Sequence, residues 1–371
     1  MKKYLLVLIA AALFCGCKKN DESPGDCGKI EPRILNQQLN YPWEILWGPD
    51  NFIWFTEREG RVNRMDPATG KVIKVATIAD VKTTTTFNGL LGMVLHPDFK
   101  ANPYVYVVYN YDKEGQYLEK VVRFTYNGTT LVNPKIIIDN IIGRIGGEFI
   151  HNGSRLVISP DGKLFISTAD ANILTLPQDI NSLNGKILRV NLDGSIPADN
   201  PYKNAVWAIG QRNPQGMVYG NGMLYSSMHG VTTDDEINII EKAGNYGWPN
   251  VEGYCERPDE MAFCKANNVK EPIYDWTPSV APSGIDYYNN RGPIKKWRNS
   301  LLVAILKGKK LVQLKLNDEG TKVISANDFF TSIYGRLRDV AISPDGNVYI
   351  CTDNGGNKDM IVELTGCEKR N

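Results

Sequence analysis

The sequence predicts an all-β protein: a six-bladed β-propeller of four-stranded antiparallel blades, spanning residues 29–367. Two observations carry this. First, one unit recurs along the chain, with a strand, a tight turn and a second strand. Glu44–Trp47 leads through Gly48-Pro49-Asp50-Asn51 into Phe52–Phe55, Leu156–Ile158 through Ser159-Pro160-Asp161-Gly162 into Leu164–Ile166, and Val340–Ile342 through Ser343-Pro344-Asp345-Gly346 into Val348–Ile350. Proline sets the first turn torsion, Asp bonds its own backbone, and Gly or Asn accepts positive φ. Second, each copy is followed by further short apolar strands, so four strands repeat about six times. One blade cannot bury both faces, whereas stacking blades in a ring can.

The remaining copies are looser. Val218–Tyr225 turns through Gly220-Asn221-Gly222. Val94–Phe99 with Tyr104–Tyr106 carries His96-Pro97-Asp98 in its turn. Ile285–Asn290 followed by Ser300–Ala304 is the sixth copy. Third and fourth strands are expected at Gly60–Met65, Val121–Tyr126, Gly185–Val190, Asp235–Ile240, Leu311–Leu314 and Met360–Leu364. No long helix is expected. A pair of β-sandwiches is the structural alternative.

The chain has 371 residues, 42% of them apolar, enough for a large core in one closed β unit. The formal charge is +1, and loss of Lys2 and Lys3 with a leader takes it to −1. With no basic stripe, nothing suggests a nucleic-acid partner. Residues 1–16 read as an export signal: two lysines, then an apolar run too short to span a membrane. Phe14-Cys15-Gly16-Cys17 is similar to a bacterial lipobox, so Cys17 is the expected lipidation site and a simple cleaved leader the alternative. Residues 17–28 are polar, broken by Pro24 and Gly25, and read as a flexible tether. The expected location is the bacterial cell envelope, as an exported lipoprotein touching the membrane only through its anchor. Export permits disulfides. Cys255 and Cys264 flank a polar loop that they can close, and a ring would bring Cys27 near Cys367. Cys351 reads as a buried free thiol.

The candidate chemistry gathers around Ala208-Ile209-Gly210-Gln211-Arg212-Asn213-Pro214-Gln215-Gly216, where two glycines bracket a turn holding a guanidinium and an amide. This stretch resembles the RNPQG signature of the soluble quinoprotein glucose/sorbosone dehydrogenases, or aldose sugar dehydrogenases. The resemblance runs from about Tyr41 to Leu364. It also rests on Asn88-Gly89-Leu90-Leu91-Gly92, Leu183-Asn184-Gly185-Lys186, Asp234-Asp235-Glu236-Ile237-Asn238 and Gly244-Asn245-Tyr246-Gly247-Trp248-Pro249. Members of that family are six-bladed propellers holding pyrroloquinoline quinone (PQQ) and Ca2+. The resemblance implies a sugar substrate, an electron acceptor that the sequence does not identify, and the following roles.

His151 matches the general base, a task suited to a neutral imidazole. Arg212 and Asn213 match the pair on the quinone carbonyls, where positive charge stabilises charge developing on oxygen. Ser279, Lys307, Arg336 and Arg338 complete the implied quinone contacts. Arg336 and Arg338 alternate, so on an extended segment they share a face and repel unless an anion lies between them. The carbonyls of Gly230 and Val231 match the calcium ligands beside the quinone, and Glu236 and Tyr246 match a second, structural calcium site. The sequence departs from the glucose-oxidising pattern at Phe87, Ile150 and Val231, so a substrate other than glucose is expected. Two rival readings remain: a non-catalytic propeller binding saccharide or protein on the same face, and a calcium-dependent lactone hydrolase using Asn88, Asn152, Asn213 and Asp235.

Overall fold

A computed structural model describes residues 29–84, 87–143, 151–289 and 291–366. Six four-stranded antiparallel sheets form a β-propeller. The innermost strands, in chain order around the axis, are Pro42–Trp47, Leu90–Leu95, Gly153–Ile158, Pro214–Gly220, Pro282–Tyr288 and Leu337–Ile342. In blades one to five the chain then runs outward strand by strand. The sixth blade differs: its outermost strand, Ile30–Leu39, comes from the N-terminal end and pairs antiparallel with Asp359–Gly366. Ile30 lies opposite Gly366, so hydrogen bonds between the two ends of the chain close the ring. Cys27 and Cys367, the proposed lock on this closure, lie outside the described residues, as do the leader, Cys17 and the tether.

The core is divided as the ring requires. Six apolar clusters form, each at the joint between two neighbouring blades. Trp54 and Val62 of blade one pack on Leu90 and Val107 of blade two. Leu39, Ile361 and Tyr349 of blade six pack on Ile45 and Phe55 of blade one. Side chains on alternate faces of one strand therefore serve two different joints. Tyr106 and Val108 face blade three, while Val105 and Val107 face blade one.

One element was not foreseen. Residues Pro258–Asn267 form an α-helix between the third and fourth strands of blade four. The expected polar loop is thus mostly helical. Pro258 stands in the first turn, and Glu260 accepts from the Arg257 N–H at 3.1 Å, which starts the helix. It buries only Glu260 and Cys264 and has no apolar stripe, so hydrophobic periodicity carried no sign of it. Cys255 and Cys264 are joined as a disulfide across this segment, and Cys351 is a buried free thiol.

Candidate active site

A cavity of about 650 Å3 opens at one end of the axis. Its wall comes from two kinds of backbone position. The segments entering the innermost strands supply Tyr41, Phe87, His151, Arg212, Asn213, Ser279 and Arg336. The exits of second strands supply Arg58, the His229–Thr232 turn, Lys307 and Asp353. Closing the ring is what makes these distant turns meet. All the quinone-contact candidates read from the sequence line this one cavity.

His151 is held at the strand entry with its imidazole buried. Its Nδ1 lies 2.8 Å from Asp170 Oδ1, and its Nε2 lies 3.3 Å from Arg212 Nη2. A guanidinium can only donate, so Nε2 is the acceptor and Nδ1 carries the proton. Asp170 in turn accepts from Trp248 Nε1 at 2.9 Å and from the Asn172 N–H at 2.8 Å, which fixes its carboxylate. The result is an oriented base: a ring with its basic nitrogen toward the cavity and a buried carboxylate behind it.

Arg212 lies over the Trp248 ring, 5.3 Å from its centroid. Its Nη1 donates to the carbonyls of His229 (3.1 Å) and Gly230 (2.6 Å). Asn213 accepts from the Gly153 N–H at 3.2 Å, which ties the arginine turn to the histidine segment. His229 donates Nε2–H to the Pro282 carbonyl at 2.7 Å; burial pushes its pKa down to about 3, so it stays neutral. Ser279 turns its hydroxyl away from solvent onto Asp235, which also takes the N–H groups of Gly230, Val280 and Ala281.

The anion expected between Arg336 and Arg338 is the protein's own. Asp353, buried, accepts from Arg58 Nη2 at 2.5 Å and from Arg338 Nη2, with Arg336 Nη2 at 3.7 Å. One carboxylate is thus shared among three guanidiniums. Burial lowers the pKa of Arg336 and Arg212, and that of Arg58 to about 10. With Arg212 and Lys307 added, five cationic side chains line the cavity against this single lining carboxylate. Arg212 Nε and Arg338 Nε are buried donors with no hydrogen-bond partner. Unmet donors and uncompensated positive charge suit a polyanionic ligand.

The calcium expectations divide. The Gly230 carbonyl accepts from Arg212 with one of its two lone pairs, and both Gly230 and the half-exposed Val231 line the cavity. Glu236 is different. It is buried, its pKa pushed up to about 8 by burial, and its oxygens accept from Asn238 (2.7 Å) and the Gly253 N–H (2.9 Å). Asn238 Oδ1 and the cross-strand neighbour Ser226 Oγ are buried without partners. Tyr246 is buried near enough for the Glu236 charge to act on its phenol. A desolvated carboxylate beside two unpartnered buried oxygens is chemistry that suits a hard cation. Among the described residues no group of three or more His, Cys, Asp or Glu is arranged to hold a metal. Of the hydrolase candidates, Asn88 is bonded to Thr84, Asn152 donates to the Phe87 carbonyl, Asn213 accepts from the Gly153 N–H, and Asp235 is enclosed by backbone donors. Ile150 lies outside the described residues.

Sequence reading missed Arg58, Asp170, Trp248 and Asp353. Three of them sit one or two residues past the end of a second strand, a position that by itself looks like a solvated turn.

The family model "Glucose / Sorbosone dehydrogenase" matches residues 39–362. The chain is 34% identical to quinoprotein glucose dehydrogenase B of Acinetobacter calcoaceticus, over 88% of this chain and 86% of that protein. It is 30% identical to the aldose sugar dehydrogenase YliI of Escherichia coli, over 89% and 91% respectively. The PQQ-bound aldose sugar dehydrogenase of Streptomyces coelicolor superposes with a TM-score of 0.77 at 29% identity, covering 92% of this chain and 99% of that one. The chain belongs to the glucose/sorbosone dehydrogenase family of oxidoreductases.

Proposed function

We propose that the protein is a PQQ-dependent dehydrogenase that oxidises a sugar hydroxyl of the aldose type. The observation that carries this reading is the His151–Asp170 pair, its basic Nε2 facing a cavity lined by five cationic side chains. PQQ, an ortho-quinone with three carboxylates, would supply the hydride acceptor that amino-acid side chains lack. Arg212, Asn213, Lys307, Arg336 and Arg338 would hold it, with Ser279 in the wall. His151 Nε2 takes the proton of the sugar's anomeric hydroxyl, and the Asp170 carboxylate stabilises the imidazolium that forms. Arg212, 3.3 Å from that nitrogen, places positive charge where oxygen becomes electron-rich.

Calcium dependence is part of the proposal, with the Gly230 and Val231 carbonyls in the cavity wall and the buried Glu236 as the two places for the ion. Phe87 at the cavity mouth, 43% exposed, leaves an apolar surface toward an incoming sugar, so glucose is not the favoured aldose. Export and a lipid anchor at Cys17 are supported by the lipobox-like sequence and the tether. The test is direct. Purified apoprotein is titrated with PQQ and Ca2+, then offered a panel of aldoses with a dye as acceptor. Saturable quinone uptake with aldose-dependent dye reduction is expected. Uptake of sugar alone, without quinone, would instead support a saccharide-binding propeller.

A further inference from the structure

Lys186 opens the third strand of blade three and is fully buried. Its ammonium donates to three backbone carbonyls: Leu176 (2.6 Å), Asn184 (2.7 Å) and Pro177 (2.9 Å). Burial pushes its pKa down to about 7, and the charge of Asp179, within the same loop, opposes that fall. An ammonium out of water is costly unless each N–H is met. Here three protons meet three acceptors, and only the charged form has three to give. A cage of carbonyl oxygens around one positive charge is also how a bare monovalent cation is held.

The caged loop is the one behind the proposed base. It runs from Asp170 to Gly185, linking the second and third strands of blade three. Pro177 O accepts from Lys186 and also from the Gly210 N–H at 2.9 Å. The Gln211 N–H donates to Gly185 O at 3.1 Å. These bonds hold the turn that carries Arg212. Gln178 donates to Trp248 O at 2.8 Å, and Trp248 is the residue bonded to Asp170. The ammonium therefore sits at the node from which both partners of His151, Asp170 and Arg212, are held.

We propose that Lys186 is a positioning residue: a built-in monovalent cation that fixes the Asp170–Gly185 loop, and through it the tautomer of His151 and the place of Arg212. Its kinetic consequence rests on the dehydrogenase reading; its structural consequence does not.

Two variants test it. Lys186→Ala leaves a carbonyl cage open to NH4+ or K+, whereas Lys186→Met fills the space without charge. The first readout is the pair of imidazole 15N shifts of His151 in cofactor-free protein, which report the tautomer; with three histidines in the chain the signals are separable. The second is kcat and KM of PQQ-loaded protein. Wild type is expected to show the Nδ1–H form. Lys186→Ala is expected to show mixed tautomers and a kcat reduced roughly tenfold with KM nearly unchanged, as for loss of an orienting group behind a reactive residue. Ammonium chloride, but not choline chloride at equal ionic strength, should restore both in Lys186→Ala and neither in Lys186→Met. A wild-type tautomer and kcat in Lys186→Ala without ammonium would overturn the proposal. So would loss of near-UV circular dichroism in both variants, which would make Lys186 a support of the whole blade. The tautomer readout uses neither quinone nor sugar, so a restored tautomer without turnover counts against the dehydrogenase reading and for Lys186.

Discussion

Asp170 shows how much of the proposed chemistry depends on a group that does not touch substrate. Its carboxylate holds His151 in the Nδ1–H tautomer, which leaves Nε2 as the acceptor beside Arg212. Asp170→Asn keeps the shape but can present an amide N–H to the ring and favour the wrong tautomer. We expect kcat to fall at least ~100-fold with quinone affinity within a few-fold of wild type; steady-state kinetics and a quinone titration check both. Asp353 is the matching case for binding. Its single negative charge is shared by three guanidiniums, and removing it from a buried ionic network leaves still more charge uncompensated. Asp353→Asn should destabilise the cofactor-free protein by about 3 kcal/mol in urea unfolding, with the loss reduced when an anionic quinone occupies the cavity.

At the scale of elements, what was legible in the sequence was what turns encode. The Ser-Pro-Asp-Gly hairpins announced their strands because each residue of the turn has a conformational reason to be there. His151, Arg212 and Arg336 were found because they sit on segments entering strands with a recognisable motif. Arg58, Asp170 and Asp353 were not, since a charged residue after a strand becomes a site residue only when blades one, three and six meet at the axis. The Pro258–Asn267 helix escaped because its contacts are ionic and covalent rather than apolar. The wall it adjoins, from Glu236 to Gly253, makes a separate expectation. Adding Ca2+ to cofactor-free protein should raise the melting temperature by a few degrees, and Glu236→Gln should abolish the response. Equal responses from the two proteins would remove Glu236 from the metal site.

At the scale of the whole molecule, stability resides in the joints between blades, and one joint carries a pH signature. Glu119 of blade two is buried against blade three, accepting from Ser154 at 2.7 Å, with Oε1 unpaired. Burial pushes its pKa from 4.5 up to about 8. Between those values the native state keeps a proton that the unfolded chain gives up. The resulting stability is fully present below about 4.5 and is lost as pH rises through about 8. Glu119→Gln should flatten this part of the stability–pH curve, measured by urea unfolding at pH 5, 6.5 and 8 (roughly the span of that window). A slope identical to wild type would show that the joint holds an ionised carboxylate.

The central claim is that turns from separate blades assemble an oriented base over a quinone site. Single-turnover mixing of PQQ-loaded His151→Gln protein with an oxidisable aldose tests it most directly, with quinone uptake measured on the same sample. Uptake within a few-fold of wild type, with reduction slowed by about 1,000-fold, is the expected result. Reduction at the wild-type rate would contradict the claim.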